Sequence, residues 1–253
     1  RAMHLVQTTE GADYLRDEAG GWWRMYDFIE NSICLQAAET DEDFYQSAVA
    51  FGEFQRQLSE FPAHTLHETI AKFHDTRNRY VQFREALNAD PLGRAASVQT
   101  EIEFALAREK NAGELMRLLE AGELPLRVTH NDTKLNNVLL DRETRKPLCV
   151  IDLDTVMPGL AAFDFGDSIR FGASTAAEDE TDLGKVEMSL ELFETYARGF
   201  LEACGSALSP LEKATLPLGA KLMTLECGVR FLTDYLSGDT YFRIHRPNHN
   251  LDR

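Results

Sequence analysis

LRVTHNDTKLNNVLLDRETRKPLCVIDLD, at residues 126–154, is the most informative stretch of this 253-residue chain. Alternating apolar and β-branched residues predict a short strand ending at His130, a strand over 138–140 and an apolar strand over 148–153. A charged, solvated turn joins the last two strands. The resulting hairpin brings the polar loop after His130 close to the strand end at Asp152.

This hairpin gathers Asp132, Asn137 and Asp152, with Lys134 beside them. Phosphoryl transfer needs a carboxylate that orients and deprotonates the acceptor hydroxyl, oxygen ligands for Mg²⁺, and cations near the moving phosphoryl group. Asn137 and Asp152 supply hard oxygen ligands, which Mg²⁺ prefers. Asp132 is then free to act as the base. These residue types at this spacing therefore favour a phosphotransferase site.

The pattern H-N-D-T-K-L-N-N at 130–137, followed by V-I-D-L-D, resembles the catalytic and metal loops of the kinase-like phosphotransferases. That superfamily includes aminoglycoside phosphotransferases and choline kinases. Its pattern is H-x-D-x4-N and then a hydrophobic strand that ends in Asp. His130, Asp132, Asn137 and Asp152 match it position by position.

The segment TVMPGLAAFDFGDSIR, at residues 155–170, looks closest to the N-acetylhexosamine 1-kinase branch of the superfamily. The resemblance covers nearly the whole chain and implies a protein-kinase-like α+β fold. In that fold a partial β small lobe precedes a mostly helical large lobe. We therefore expect residues 1–31 to be a remnant of the small lobe with its hinge, and residues 32–253 to form the helical catalytic lobe.

The resemblance also implies the reaction, which is Mg²⁺- and ATP-dependent phosphorylation of a small-molecule hydroxyl. The preferred acceptor is the anomeric C1 hydroxyl of an N-acetylhexosamine, GlcNAc or GalNAc. Two alternatives stay open: a related kinase of the aminoglycoside, choline or methylthioribose type, and a catalytically inactive pseudokinase or binding module. Upstream of residue 22 we find no Gly-rich phosphate loop, strand lysine or helix glutamate. The chain thus looks like a homologue lacking the start of its small lobe, and by itself it is expected to bind ATP poorly.

Several roles follow from the resemblance alone. Asp132 is the expected base and contacts the acceptor, and Lys134 is expected to neutralise the γ-phosphate. His130 and Asp164 are expected to support the loop structurally, Asp164 by accepting hydrogen bonds from its backbone. A carboxylate buried without such partners would be costly.

The hinge that would hold the adenine is placed at the end of an aromatic strand. We expect nucleotide contacts from Met25, Asp27, Phe28 and Ile29, mostly through backbone groups, with Met25 behind the base. The alternative is a plain edge hairpin whose aromatic side chains belong to the core.

Three further residues are candidates for contacts with the substrate. Asp167 and Arg170 follow Asp164 by about one helical turn, and either contact substrate hydroxyls or pair with each other. Arg230 is placed on the substrate side of the cleft by the resemblance. Its alternative is an ion pair, four residues away along the helix, with Asp234 or Glu226.

Helical periodicity and capping residues predict the remaining elements. Helices are expected over 41–61, 66–88, 97–121 and 185–204, and from Ser209 to Leu236 with a bend near Pro217. Strands are expected over 3–8 and 22–29.

Composition narrows the class of partner. The net charge of −16 and the pI near 4.8 disfavour nucleic acid and anionic membranes as partners. The expected partners, a sugar and ATP, are those that the resemblance implies. Four scattered cysteines without a CxxC pair disfavour a zinc site or a disulfide framework, and favour a reducing cytoplasm. No signal peptide is visible and no apolar run reaches transmembrane length.

Overall fold

Small antiparallel sheets and a larger helical part make up the computed structural model, which describes residues 2–253. Nine strands lie within these residues. In chain order they are β1 (Leu5–Val6), β2 (Leu15–Arg16), β3 (Trp22–Trp23), β4 (Met25–Tyr26), β5 (Ser32–Cys34), β6 (Arg127–Thr129), β7 (Val138–Asp141), β8 (Pro147–Val150) and β9 (Met157–Gly159).

Within residues 2–253 every helix comes after the first five strands. The α-helices within residues 2–253 are α1 (Asp41–Gln57), α2 (Thr76–Ala89), α3 (Gln99–Leu106), α4 (Glu114–Glu120), α5 (Ala161–Gly172), α6 (Leu190–Cys204), α7 (Pro210–Ser237) and α8 (His249–Asp252). Single 3₁₀ turns lie at Ala63–Thr65, Ala95–Ser97, Glu109–Asn111, Leu135–Asn137, Leu153–Thr155, Leu183–Lys185 and Gly205–Ala207.

The strands pair in four separate antiparallel sheets. β5, β7 and β8 form a three-stranded sheet in that order, while β6 pairs with β9. β1 pairs with β4, and β2 with β3, in two ribbons. Because each ribbon has two strands of two residues, its ladder is short and it gains little from pairing alone. The strands predicted over 3–8 and 22–29 are therefore much shorter than the sequence pattern indicates.

Helix packing builds the core around the central hairpin. The largest buried cluster joins α1, α5 and α6 to the strands β5 and β7, and a second joins α2 and α3 to α7. α5 lies directly against α7, where a Cβ on Gly166 would fall 2.4 Å from the carbonyl oxygen of Gly219. This close approach requires glycine, and it fixes the position of the helix that carries Asp164 and Asp167.

Helix boundaries differ from the sequence pattern at several ends, and in two cases a local bond gives the reason. α2 begins at Thr76 rather than near residue 66, because Lys72 has a positive φ of 55° and the Asp75 side chain caps the helix by accepting from the Arg77 amide. α6 begins at Leu190 because Ser189 caps it. The helix predicted over 97–121 is divided into α3, a 3₁₀ turn and α4.

Within residues 2–253, none of the helices has both the length and the apolar character needed to cross a bilayer.

Candidate active site

A buried carboxylate at the start of α5 holds residues 130–137, which we call the catalytic loop. Asp164 Oδ2 accepts a hydrogen bond from the His130 amide at 2.9 Å, and Oδ1 accepts one from the Asn131 amide at 2.8 Å. The Gln55 side chain donates a third bond to Oδ2 at 2.6 Å. Complete burial raises the pKa of Asp164, while the bonds from the two amides and from Gln55 oppose that rise.

α5 also binds Thr133, the residue that follows Asp132. The Thr133 amide donates to Asp167 Oδ2 at 2.9 Å, and its hydroxyl donates to the Asp164 carbonyl at 2.6 Å. Ser168 Oγ donates to the Thr133 carbonyl at 2.8 Å. Asp132 is thus flanked by two residues whose backbones are fixed to the same helix, so its own position is determined by α5.

The side chains of Asp132, Asn137 and Lys134 lie together, as the sequence predicts. Asn137 Nδ2 donates to the Asp132 carbonyl at 2.8 Å and to its carboxylate Oδ2 at 3.1 Å. Lys134 Nζ lies 3.1 Å from the same Oδ2. The Asp132 side chain is 26% exposed, so a small molecule can reach it.

His130 connects the catalytic loop to the strand end before Asp152. Its Nε2 donates to the Ile151 carbonyl at 2.9 Å, and its Nδ1 faces the Asp132 amide at 3.3 Å. Since one ring nitrogen faces an acceptor and the other a donor, these contacts require the neutral tautomer with the proton on Nε2. The ring is also in edge contact with Phe51 on α1, at a centroid distance of 5.4 Å. His130 therefore supports two parts of the site at once.

Asp152 lies two residues after the end of β8, next to a residue that is bonded to Asn137. The Ile151 amide donates to the Asn137 carbonyl at 2.9 Å, which links the two segments. Asp152 is exposed and left-handed, with φ and ψ both 60°, a conformation that Asp tolerates better than most residues.

The donor set fits Mg²⁺ better than a transition metal. Within residues 2–253, no three His, Cys, Asp or Glu side chains gather in a geometry that holds a metal. Asn137 and Asp152 offer one amide and one carboxylate oxygen. Mg²⁺ is commonly bound through one or two carboxylates with the rest of its shell from phosphates and water. The residues present therefore fit a magnesium ion that arrives with a nucleotide.

The segment predicted to bind the nucleotide is open to solvent. Met25 is 66% exposed and Phe28 is 86% exposed. The Asp27 carboxylate lies 2.8 Å from His4 Nδ1, outside the catalytic loop. The alternative in which the aromatic side chains of this segment are core residues is wrong, because Trp22 and Trp23 are each 63% exposed.

One ion pair connects this N-terminal segment to the metal side of the hairpin. Arg24, immediately before β4, binds the carboxylate of Asp154, two residues after Asp152. The hydrogen bond to Asp154 raises the pKa of Arg24. The structure thus brings the predicted hinge and the predicted magnesium ligand to the same edge of the molecule.

Asp167 and Arg170 form the internal ion pair. Arg170 Nη2 and Nε lie 3.1 and 3.2 Å from Asp167 Oδ1, and Arg170 Nη1 lies 3.1 Å from Glu178. Burial by itself would raise the pKa of Asp167, but the charges of Arg170 and His74 and the bond from Thr133 lower it overall. Arg170 links α5 to the loop that follows it through Glu178, and Asp167 also holds the catalytic loop.

Arg230 lies between two aromatic rings. Its guanidinium is 5.6 Å from the ring centroid of Phe73 and 5.3 Å from that of Phe242. The alternative ion pairs with Asp234 and Glu226 are wrong, because these carboxylates bind other groups and neither lies within 4 Å of Arg230 in the described residues. Arg230 donates no hydrogen bond within residues 2–253, so its N–H groups are available.

A large open cavity of about 1620 Å³ lies beside the site, between the start of α1, α3, the end of α5 and α7. Arg170 contributes to its wall, while Asp132, Asn137 and Asp152 do not. The cavity is therefore separate from the predicted metal ligands.

Sequence reasoning missed the residues that hold the loop from other helices. These are Gln55 on α1, which binds Asp164, and the buried pair His74–Glu226, which binds the Asn131 carbonyl. Their signal in the sequence is weak, since each is a polar residue within a helical pattern whose default interpretation is a solvated face.

The family model described as the phosphotransferase enzyme family matches residues 2–200. An ethanolamine kinase from Plasmodium vivax has a similar structure, with a TM-score of 0.57 at 13% identity over 90% of this chain and 63% of the other. So has an aminoglycoside phosphotransferase from Alicyclobacillus acidocaldarius, with a TM-score of 0.57 at 14% identity over 99% of this chain and 70% of the other.

A microcompartment-associated aminopropanol kinase gives a TM-score of 0.52 at 15% identity, over 99% of this chain and 70% of the other. The chain thus spans less than two thirds of the first of these structures, at 63%, and 70% of the other two. At such low identities the likeness concerns the fold, and the prediction of a protein-kinase-like α+β fold is confirmed.

Proposed function

The chain belongs to the phosphotransferase enzyme family, and from this premise we propose that it phosphorylates a small-molecule hydroxyl with Mg²⁺ and ATP. The acceptor we propose is the anomeric C1 hydroxyl of an N-acetylhexosamine, GlcNAc or GalNAc. The observation that carries the proposal is the arrangement of Asp132 with Asn137 and Lys134 on a loop that α5 holds from both sides.

Asp132 is the proposed base. Asn137 and Lys134 both contact its Oδ2, so Oδ1 is the oxygen available to an acceptor hydroxyl. The hydroxyl would donate its proton to Oδ1 as its oxygen bonds to the γ-phosphorus and the bond to ADP breaks. Because positioning and charge stabilisation supply most of the rate in this chemistry, the fixed location of Asp132 matters more than its pKa.

Lys134 would then contact the phosphoryl group that is being transferred. Its ammonium lies 3.1 Å from the proposed base, and the acceptor oxygen must approach the same carboxylate. A phosphoryl group arriving at that oxygen is therefore within reach of the lysine, which can exchange one anionic partner for the other.

Asn137 and Asp152 are the residues that would hold Mg²⁺, and the ion when bound neutralises phosphate charge. Such neutralisation has particular value in a chain of net charge −16. We place the adenine of ATP at Met25, Asp27, Phe28 and Ile29, which the ion pair between Arg24 and Asp154 brings to the edge that carries Asp152.

The positive charge of Arg230 favours an uncharged phosphoryl acceptor, such as a sugar, over a cationic one. A guanidinium that donates no hydrogen bond within residues 2–253 suits sugar hydroxyl or acetyl oxygens, whereas a choline or amino alcohol would bring a second positive charge next to it. We propose Asp167 and Arg170 as further substrate contacts, in addition to their pairing with each other.

Amino-alcohol phosphorylation is the second candidate, because two of the similar structures are an ethanolamine kinase and an aminopropanol kinase.

We further propose that residues 1–31 belong to the small lobe and hinge and residues 32–253 to the catalytic lobe. A cytoplasmic location is proposed from the free cysteines Cys34, Cys149, Cys204 and Cys227.

The test is ATP consumption with a panel of acceptors: free hexosamines, choline, ethanolamine, methylthioribose and an aminoglycoside. We expect turnover with GlcNAc or GalNAc, with the phosphate placed on C1 by ³¹P NMR. Turnover of the amino alcohols alone would contradict the sugar proposal and support amino-alcohol phosphorylation instead. Binding of Mg²⁺–ATP in calorimetry without turnover of any acceptor would identify a pseudokinase.

A further inference from the structure

A buried histidine outside the proposed catalytic residues contacts the backbone of the catalytic loop. His74 lies just before α2, and its Nε2 is 3.1 Å from the carbonyl oxygen of Asn131. Its Nδ1 is 2.9 Å from Oε1 of Glu226 on α7. The side chains of His74 and Glu226 are only 7% and 2% exposed, so water does not compete with these contacts.

Both ring nitrogens of His74 face acceptors. A backbone carbonyl only accepts hydrogen bonds, and so does an ionised carboxylate. Oε2 of Glu226 accepts a bond from the Thr76 hydroxyl at 2.8 Å, as an ionised carboxylate would. Neutral imidazole has a single N–H and can satisfy only one of its two acceptors, which would leave a buried lone pair facing an oxygen. The imidazolium form satisfies both.

We propose that Glu226 holds His74 as an imidazolium, and that this cation is a positioning residue for the proposed base Asp132, acting through the carbonyl of Asn131. The positioning role rests on the function proposed above, whereas the charge state of His74 does not.

Asn131 is the point at which such positioning takes effect. Its φ is +64°, a left-handed conformation that Asn tolerates better than most non-glycine residues, and several hydrogen bonds hold it there. Asp164 binds the amide of Asn131, and the Asn131 side chain donates to the Thr155 carbonyl at 2.9 Å. His74 binds the carbonyl oxygen of Asn131, so hydrogen bonds hold its amide, its side chain and its carbonyl. Because the peptide that carries this carbonyl leads directly into Asp132, its orientation determines where the base projects.

The charges around His74 favour the cation. Burial lowers the pKa of His74, but Glu226 on α7 and Asp167 on α5 raise it, and the net result is a pKa above the ordinary 6.5. The cations near this cluster are Arg79 and Arg230, whose guanidiniums lie 5.7 and 5.6 Å from the centroid of the Phe73 ring.

Because folding raises the pKa of His74, the stabilisation that its imidazolium provides should decrease at alkaline pH. The stabilisation from the imidazolium is complete below the unfolded-state pKa of 6.5, and it is lost as the pH rises through the raised value in the folded protein. The hold on the Asn131 carbonyl should therefore weaken on the alkaline side, and with it the placement of Asp132.

The first experiment reads the charge state directly and needs no substrate. Two-bond ¹H–¹⁵N NMR spectra of protein labelled with ¹⁵N-histidine, with His74 assigned by His74→Gln, should show both nitrogens protonated at pH 7. In uniformly ¹⁵N-labelled protein, the amide signal of Asp132 should move with the titration of His74 as the pH is raised. A neutral His74 at pH 7, or a titration that leaves the Asp132 amide unmoved, would overturn the inference.

Glu226→Gln distinguishes an ionic pair from a neutral one. If the pair is ionic, the substitution lowers the His74 pKa by at least one unit, because the neighbouring negative charge is gone. If wild-type Glu226 carries the proton and His74 is neutral, Gln reproduces that state and the His74 spectrum stays unchanged, which contradicts the proposal.

Kinetics separate positioning from mere support of the fold. With the acceptor that the panel identifies, Glu226→Gln should shift the alkaline limb of kcat to lower pH by at least one unit and leave KM within about twofold. The double variant His74→Gln/Glu226→Gln, which offers paired amides without charge, should recover part of the kcat lost in His74→Gln and show no alkaline limb from this site. A uniform loss of kcat at every pH, without a shifted limb, would reduce His74 to a structural residue.

Discussion

The catalytic loop, residues 130–137, and the N-terminal ribbons β1–β4, residues 5–26, are maintained in different ways. Side chains from α5 and from the segment before α2 bind the loop, from positions 33 to 57 residues away in the sequence, and Gln55 on α1 supports one of them, Asp164. The ribbons have short ladders of their own, and Trp22 and Trp23 lie mostly in solvent. A site that must be in place before reaction is preorganised by buried bonds, whereas a segment without a core beneath it opens at low cost.

This contrast divides the proposed reaction into two halves. The acceptor half, with Asp132 and Asn137, is held by the interior of the molecule. The proposed nucleotide half is joined to it by the exposed ion pair between Arg24 and Asp154, whose side chains are 50% and 61% exposed. Exposed pairs of this kind contribute little to stability. Substitutions in the two regions should therefore differ sharply in effect.

Asp132→Asn should have the largest effect. The amide keeps the shape of the side chain but cannot take a proton, so kcat should fall by about 10²–10⁴-fold, the range found for general bases. Circular dichroism and thermal unfolding should match the wild type. Glu143→Gln, on the exposed turn of the same hairpin, is the matched control and should keep full activity. Near-normal turnover in Asp132→Asn would remove Asp132 as the base.

Asp164→Asn should reduce the free energy of unfolding by about 2–4 kcal/mol, because hydrogen bonds to a buried charge are lost and an amide N–H₂ is placed against a backbone N–H or the Gln55 amide. Urea unfolding measures the change. A loss below about 1 kcal/mol would show that the catalytic loop is held chiefly by other contacts, and the contrast with the ribbons would weaken.

Asp152→Asn should raise the Mg²⁺ concentration needed for half-maximal activity about tenfold or more, since one of two proposed ligand groups loses its charge. Glu143→Gln, on the exposed turn of the same hairpin, is the matched control and should leave the magnesium midpoint unchanged. Equal midpoints in Asp152→Asn and the wild type would exclude Asp152 as a ligand.

Arg230→Ala should raise the sugar KM, or lower kcat, about fivefold, corresponding to one hydrogen bond of about 1 kcal/mol. Steady-state kinetics on the acceptor measure it. Arg243→Ala, an exposed arginine in the segment after α7, should change neither constant. If Arg230→Ala behaves like Arg243→Ala, the aromatic sandwich of Arg230 serves the fold alone.

Phe28→Ser should have the smallest effect. The side chain is 86% exposed, so its replacement should change the free energy of unfolding by less than about 0.5 kcal/mol. The same urea titration as for Asp164→Asn gives a direct comparison of the two regions. A loss of 2 kcal/mol or more would reveal a stabilising role for the N-terminal ribbons that their exposure does not indicate.

Local pattern accounts for what could be predicted of the fold and the site. The alternation over 126–154 indicates the hairpin, and the spacing from Asp132 to Asn137 spans one loop, so their proximity needs no distant contact. Helix starts with capping residues, such as Thr40 before α1 and Ser209 before α7, are likewise local. The start of α2 was misplaced because the positive φ at Lys72 leaves no mark in the hydrophobic pattern.

The sequence by itself determined the hairpin, the polar residues it gathers and the superfamily they resemble. These features depend on turns and hydrogen bonds between residues within about 25 positions of each other, and such local interactions leave a recognisable pattern in the sequence. Only the tertiary structure decided which groups hold those polar residues. Gln55 reaches Asp164 across 109 residues, and His74 reaches Glu226 across 152. Such pairs depend on how α1, α5 and α7 pack, and the burial that makes them strong exists only once those helices have come together.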